Sequence, residues 1–160
     1  MSKNFHPLRI AEIRRESEDA VSLRFDVPAH EAELFRFTQG QHLTLRSTID
    51  GQEVRRSYSI CAGVNDGELR VAIKTVAGGV FSTFANRDLQ VGQMIDVMPP
   101  DGRFFVPLNP ENRKHYVAVV AGSGITPVLS IIKTTLETEP NSRFTLLYGN
   151  QKRSTILFAD

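Results

Sequence analysis

The apolar pattern of this chain changes period once, and that change limits the folds open to it. From Pro7 to Pro100 apolar residues alternate or gather in short β-branched runs: LRIAEIRRES, AVSLRFDV, QHLTLRSTI, EVRRSYSICA, ELRVAIKTV and QMIDVMPP. Successive side chains of a strand point to opposite faces, so each run is expected to turn one face to a core. Asp50-Gly51, Asn65-Asp66-Gly67 and Val91-Gly92 separate the runs, and both Asp-Gly pairs are expected to form hairpin turns. Six antiparallel strands at this spacing predict a small barrel or sandwich. GGVFSTFANRDL breaks the rhythm and is expected to form a short helix entered from a glycine pair.

After Pro107 the period is different. PLNPENRK is polar and suits a linker, and HYVAVVAGSG is a continuous apolar run that suits a buried parallel strand. ITPVLSIIKTTLETEP predicts a helix with Val128, Ile131, Ile132 and Leu136 on its apolar face and a stop at Glu139-Pro140. RFTLLYGN is a second apolar strand, so the segment forms a β-α-β unit, the opening of a doubly wound α/β domain. STILFAD starts a further helix-like segment. Two strands and one helix cannot cover both faces of their own sheet. The expected organisation is therefore a whole barrel over 1–106 and the N-terminal part of an α/β domain over 107–160. A longer parent or a second polypeptide would complete it, and the face carrying VAVVA is expected to be poorly covered.

Composition narrows the function classes. A net charge of +1 offers no electrostatic footprint for nucleic acid or an anionic membrane. One cysteine allows no internal disulfide, and no apolar run approaches the roughly 20 residues of a membrane-spanning helix. The N-terminus lacks the apolar core of a signal peptide. A cytoplasmic protein is expected.

Three stretches carry candidate chemistry. In AGSGITP, Ala121–Pro127, glycines after a strand let backbone N–H groups approach a phosphate at the positive end of the next helix. Thr126 is placed to cap that helix and Pro127 to take its first position. Proline stands where the third glycine of GxGxxG would fall, so a structural left-handed cap fits the turn equally well. In KTVAGGVFS, Gly78 and Gly79 open the short helix and Ser82 falls in its first turn, making either a second anion site or a plain glycine hinge. In RRSYSIC, Arg56 and Tyr58 share one strand face and Ser57 and Ser59 the other. A guanidinium beside an aromatic ring suits a phosphate and a stacked heterocycle; a surface strand uses the same letters. Together and in this order, the three point to a ligand with a planar ring and a pyrophosphate, beside a second nucleotide site. Cys61 suits packing more than redox chemistry. His42 and His115 lack metal-ligand neighbours, so no metal site is expected, and Lys152-Arg153 suits a solvated loop.

The order RxYS, GGxxS, GSGITP resembles the ferredoxin–NADP+ reductase superfamily of FAD-dependent reductases, over essentially the whole chain. FTQGQHLTL, RRSYSIC, VAIKTVAGGVFS, AGSGITPVLSIIKTTLETEP and FTLLYGN are similar to its branch of reductases serving phenylacetyl-CoA epoxidases. The resemblance implies a six-stranded antiparallel Greek-key flavin-binding barrel, followed by the truncated start of a doubly wound α/β nucleotide-binding domain. It implies an NAD(P)H-oxidising flavoprotein that passes electrons from FAD to a [2Fe–2S] centre, carried by the parent protein outside this chain, and on to an oxygenase component. Matching positions would take the family's roles. Arg56 would pair with the FAD pyrophosphate, Tyr58 would pack on the isoalloxazine, and Ser59 would hydrogen-bond near flavin N5, with Ser57 beside them. Backbone at Ala72, Ile73 and Lys74 would meet the ribityl and ribose. Gly79, Val80, Phe81 and Ser82 would hold the pyrophosphate. Gly122, Ser123, Gly124, Thr126 and Pro127 would receive the nicotinamide nucleotide, with Thr126 near the flavin–nicotinamide contact. Gln39 departs from the proline usual before Gly40. The alternatives are a flavin-binding interaction subunit without turnover, and a reductase for a different oxygenase or a haem acceptor.

Overall fold

A computed structural model describes residues 4–159. Strands β1 (His6–Ser17), β2 (Ala20–Asp26), β3 (His42–Ile49), β4 (Gln52–Ser59), β5 (Leu69–Lys74) and β6 (Met94–Val97) form one antiparallel sheet. Its order is β4-β3-β6-β1-β2-β5. The ends meet where Ile60 bridges Val71 and Cys61 N–H donates to the Arg70 carbonyl, so the sheet closes into a barrel. Closure removes the unpaired edges that an open sheet would expose. Leu8, Ile10, Leu23, Leu43, Leu45 and Ile73 fill the interior with no measurable exposure. Helix α1 (Val80–Arg87) plugs one side with Phe81 and Ala85.

The two Asp-Gly pairs behave differently. Asp50 and Gly51, at φ 49° and 75°, make a two-residue turn between paired Ile49 and Gln52, the type I′ geometry that matches strand twist. Asp66-Gly67 does not make a tight hairpin, because β4 ends at Ser59 and β5 starts only at Leu69. The Asp66 carboxylate accepts the Gly63 N–H and pairs with Lys133 of the following lobe, so this loop is spent on joining the two halves.

Strands β7 (His115–Ala121) and β8 (Arg143–Gly149) are parallel, joined by α2 (Ile125–Thr138). The apolar face expected on α2 is displaced. Its buried residues are Ile125, Thr126, Val128, Ser130, Thr134 and Thr135, while Leu136 is 44% exposed. The helix packs against the barrel loop as well as its own sheet: Thr134 Oγ1 accepts the Val64 N–H, and a Cβ on Gly63 would lie 3.1 Å from Lys133 Cβ. Small hydroxyl residues permit that approach where leucine would not. The other face of β7–β8 is open, with Val117, Val119 and Leu147 at 61%, 75% and 57% exposure, so these strands are covered on one side only.

The segment after β8 is not an α-helix. It makes a 3₁₀ turn at Arg153–Thr155 and then buries Leu157 against Ala20 and Ile125. Leu157 is drawn into the seam between barrel and β-α-β unit, which a helix starting there would not allow. Glu18 N–H to the Ser154 carbonyl and Lys74 Nζ to the Thr155 carbonyl tie the same seam. Asp160 lies outside the described residues. The linker is ordered around the fully buried Glu139, which accepts from Asn109 N–H, Asn112, Tyr116 and Ser142.

Candidate functional site

Three clefts meet along the seam. The first, about 410 Å³, lies between the end of β4 and the start of α1, lined by Arg56, Ser57, Tyr58, Lys74 and residues 76–82. The second, about 400 Å³, continues from it over Ser57, Tyr58, Ser59, Ala72, Lys74, Thr75 and Val76 to Ser123, Gly124, Thr126 and Pro127. The third, about 670 Å³, opens beyond Lys74 and Ser123 towards Asp19, Ala121, Gly122, residues 149–152 and Thr155. Ser57, Tyr58, Lys74 and Val76 are common to the first two, so these are one groove with two ends.

Tyr58 forms the floor of that groove. Its ring packs on Phe81, with centroids 5.7 Å apart and planes at 40°, so one face is backed by the core. Burial pushes its phenol up to about 12 against the opposing pull of Arg56, so the ring stays neutral. Ser57 shares a 2.8 Å hydroxyl contact with Thr44. Arg56 is exposed and, among the described residues, donates only to the Arg55 carbonyl, at 2.6 Å. Neighbouring Arg46 and Arg55 pair with Asp96 and Glu53, whereas Arg56 has no carboxylate partner among the described residues.

The glycine pair makes a cradle at the start of α1. Gly78 has φ 72°, a region open to glycine at little cost, and nothing lies within 4 Å of its Cβ position. A Cβ on Gly79 would fall 2.6 Å from Ser82 Oγ. The Ser82 hydroxyl accepts the Val76 N–H and donates to the Gly79 carbonyl. Its proton is therefore spent inside the loop, and the groups left to face an anion are the first backbone N–H groups of α1.

The second glycine turn is a 3₁₀ turn, Gly122–Gly124, running directly into α2. The helix begins at Ile125 with Gly124 as its N-cap, so Thr126 is not the cap and Pro127 is the third helical residue. The continuous 3₁₀-to-α path moves the start upstream. Thr126 Oγ1 instead donates to the Ser123 carbonyl at 3.0 Å. Proline still costs nothing there, because the first-turn N–H groups have no intrahelical acceptor.

The structure brings the expected residues to one groove with two exceptions: Gly122 lines only the third cleft, and Ile73 lines none of the three. Ile73 is fully buried with its side chain in the barrel core. Cys61 is buried and its thiol is pushed up to about 12, chiefly by burial, consistent with a packing role. Sequence reasoning missed Asp19, Thr75, Val76 and residues 149–151, and left Lys152 in a solvated loop, although it lines the third cleft. Residues 149–152 had a usable signal: they follow β8 as the glycine turn follows β7, and open α/β sheets bind ligands at the carboxyl ends of their strands. Among the described residues no group of three or more His, Cys, Asp or Glu could hold a metal. No helix among them is long and apolar enough to cross a membrane.

This geometry agrees with what the chain is similar to. Residues 7–106 match the family model of the oxidoreductase FAD-binding domain, and residues 119–160 that of the oxidoreductase NAD-binding domain. The chain belongs to this family of FAD- and NAD-binding oxidoreductases. A component of the 1,2-phenylacetyl-CoA epoxidase of Escherichia coli K12 is 47% identical over 154 residues, 96% of this chain and 43% of that protein. A flavohemoprotein of Pseudomonas aeruginosa is 36% identical over 136 residues, 85% of this chain and 34% of that protein. The chain thus spans less than half the length of these curated relatives. Phthalate dioxygenase reductase, a modular structure for electron transfer from pyridine nucleotides to [2Fe–2S], superimposes with a TM-score of 0.78 at 28% identity. That match covers 96% of this chain and 46% of the reductase. The FAD/NAD-binding domain of a Vibrio cholerae nitric oxide dioxygenase gives 0.83 at 25%, covering 98% and 67%.

The residues present fit FAD. An arginine with no acidic partner, a half-buried ring and a cradle that a Cβ on Gly79 would fill lie along one groove. They match a pyrophosphate beside a planar heterocycle.

Proposed function

We propose that this chain holds FAD in the groove over Tyr58 and presents it to a nicotinamide nucleotide bound at the Gly122–Gly124 turn. It would do so within a reductase that supplies electrons to an oxygenase of the phenylacetyl-CoA epoxidase kind. One observation carries the reading: Ser57, Tyr58 and Ser59 of the barrel and Ser123, Gly124, Thr126 and Pro127 of the β-α-β unit line the same cleft. A ring on Tyr58 and a ring delivered by the glycine turn therefore share one space. The division of labour follows 1–106 for the flavin and 107–160 for the nucleotide.

Bound FAD supplies the chemistry, taking two electrons as hydride and giving them up one at a time. The protein's part is to bind and orient. Arg56 and the first N–H groups of α1, at Val80, Phe81 and Ser82, would hold the pyrophosphate, with Gly79, whose own N–H is taken by the Val76 carbonyl, leaving room for it. Tyr58 supplies the stacking surface and keeps water from one ring face. Ser59 would offer its hydroxyl to the ring, and backbone at Ala72, Ile73 and Lys74 would hold the ribityl chain. Ser123, Gly124 and Thr126 set the distance of the nicotinamide. No side chain has to move a proton. The E. coli epoxidase component and phthalate dioxygenase reductase support an iron–sulfur centre and an oxygenase as the next carriers. The test is anaerobic addition of NADH or NADPH to the FAD-loaded chain while the flavin absorbance is followed. Bleaching supports the reading; a bound flavin that neither nucleotide bleaches contradicts it.

A further inference from the structure

Tyr148 of β8 pairs with Val120 of β7, and its phenol joins three segments of the seam. The hydroxyl donates to the Gly122 carbonyl at 3.1 Å and accepts the Leu157 N–H at 3.3 Å. Burial pushes this phenol above its ordinary value, with Leu157 and Asn150 pulling the other way, so it remains a neutral donor. Hydrogen bonds hold the Gly122 carbonyl, and Gly122 has φ 51° with nothing within 4 Å of its Cβ position. Its carbonyl takes both the Tyr148 hydroxyl and the Ile125 N–H.

A trans peptide points its C=O and the next N–H in opposite directions. Turning the Gly122 carbonyl towards Tyr148 therefore turns the Ser123 N–H away from it, and Ser123 lines the second and third clefts. That N–H lies in the first turn, where no intrahelical acceptor exists. Asn150 Oδ1, at the wall of the same third cleft, is buried without a partner. We propose that Tyr148 is a positioning residue for the nicotinamide nucleotide: its hydroxyl fixes the Gly122 carbonyl and so aims the Ser123 N–H into the cleft. This rests on the glycine turn being the nicotinamide-nucleotide site.

The experiment uses the FAD-loaded, ¹⁵N-labelled chain, titrated separately with NADH and NADPH while backbone amide resonances are followed. In the unsubstituted chain the Ser123 and Gly124 amides shift with at least one nucleotide. In Tyr148→Phe the Ser123 amide starts from a different position. The apparent Kd rises about five- to tenfold, the loss expected for one hydrogen bond, and FAD affinity is unchanged. Leu157→Val loosens the seam plug but keeps the hydroxyl, so it lowers the melting temperature without changing nucleotide affinity. The inference is overturned if Tyr148→Phe binds nucleotide like the unsubstituted chain. Equal weakening of FAD and nucleotide, or a Leu157→Val loss as large as that of Tyr148→Phe, also overturns it by showing Tyr148 to be packing alone. If neither nucleotide moves Ser123 in the unsubstituted chain, the nucleotide-site reading itself fails and takes the inference with it.

Discussion

Arg56→Ala separates a ligand-binding arginine from a structural one. The Arg56 side chain is exposed and, among the described residues, donates only to the Arg55 carbonyl. Removing it breaks no ion pair, and the melting temperature of the flavin-free protein should not change. The cost should appear only when FAD is added. A charge-assisted hydrogen bond contributes about 1.5–3 kcal/mol. An exposed guanidinium falls at the lower end, which corresponds to about a tenfold weaker Kd. Arg55→Ala is the matched control: Arg55 pairs with Glu53 at 2.5 Å, and its loss removes a surface ion pair without touching the groove. Flavin fluorescence quenching gives Kd for all three proteins, and calorimetry gives their stabilities. Equal FAD affinity in Arg56→Ala and the unsubstituted chain would refute the pyrophosphate role. So would a lowered flavin-free stability, because Arg56 would then be structural.

Tyr58→Ala should brighten bound flavin and weaken its binding if the ring backed by Phe81 is the stacking surface; unchanged fluorescence counts against it. Ser59→Ala should leave FAD bound but slow bleaching by nicotinamide nucleotide in stopped flow, and equal rates would remove Ser59 from the site. Gly79→Ala should weaken FAD binding, because its Cβ would meet Ser82 Oγ at 2.6 Å and force the cradle to shift; a titration matching the unsubstituted chain would refute this. Glu139 supplies a pH signature. Burial raises its carboxyl, but hydrogen bonds from Asn112, Ser142, Asn109 N–H and Tyr116 outweigh that and hold it at about 2. A folded value below the unfolded one means the stabilisation is present above the ordinary carboxylate range and lost as pH falls towards 2. Glu139→Gln should flatten that part of the acid denaturation profile, and an unchanged profile would contradict the assignment.

Much of the barrel was legible because each strand carries a one-sided pattern and Asp50-Gly51 has the chemistry of its turn. The Asp66-Gly67 loop was not, because its geometry is set by Gly63 and by Lys133, more than 60 residues away in sequence. The buried face of α2 was misplaced for a related reason: a helix serving two neighbours uses Ser130, Thr134 and Thr135 for close approach, and these do not register as apolar. STILFAD looked helical because the demand that buries Leu157 comes from Ala20 and Ile125 across the seam. Arg56, Tyr58 and the two glycine turns stand out in the sequence by residue type, and the structure places them along the clefts. Tyr148 and Asn150 were hidden, because Tyr148 matters through the Gly122 carbonyl it contacts and Asn150 through the cleft it lines, not through their own spacing.

The most direct test of the account is a titration of the purified 160-residue chain with FAD, read by calorimetry and flavin fluorescence together. The account predicts one FAD per chain, with its fluorescence quenched and with Tyr58→Ala restoring the emission. A folded chain that leaves FAD free, or binds it with fluorescence indifferent to Tyr58, would contradict it.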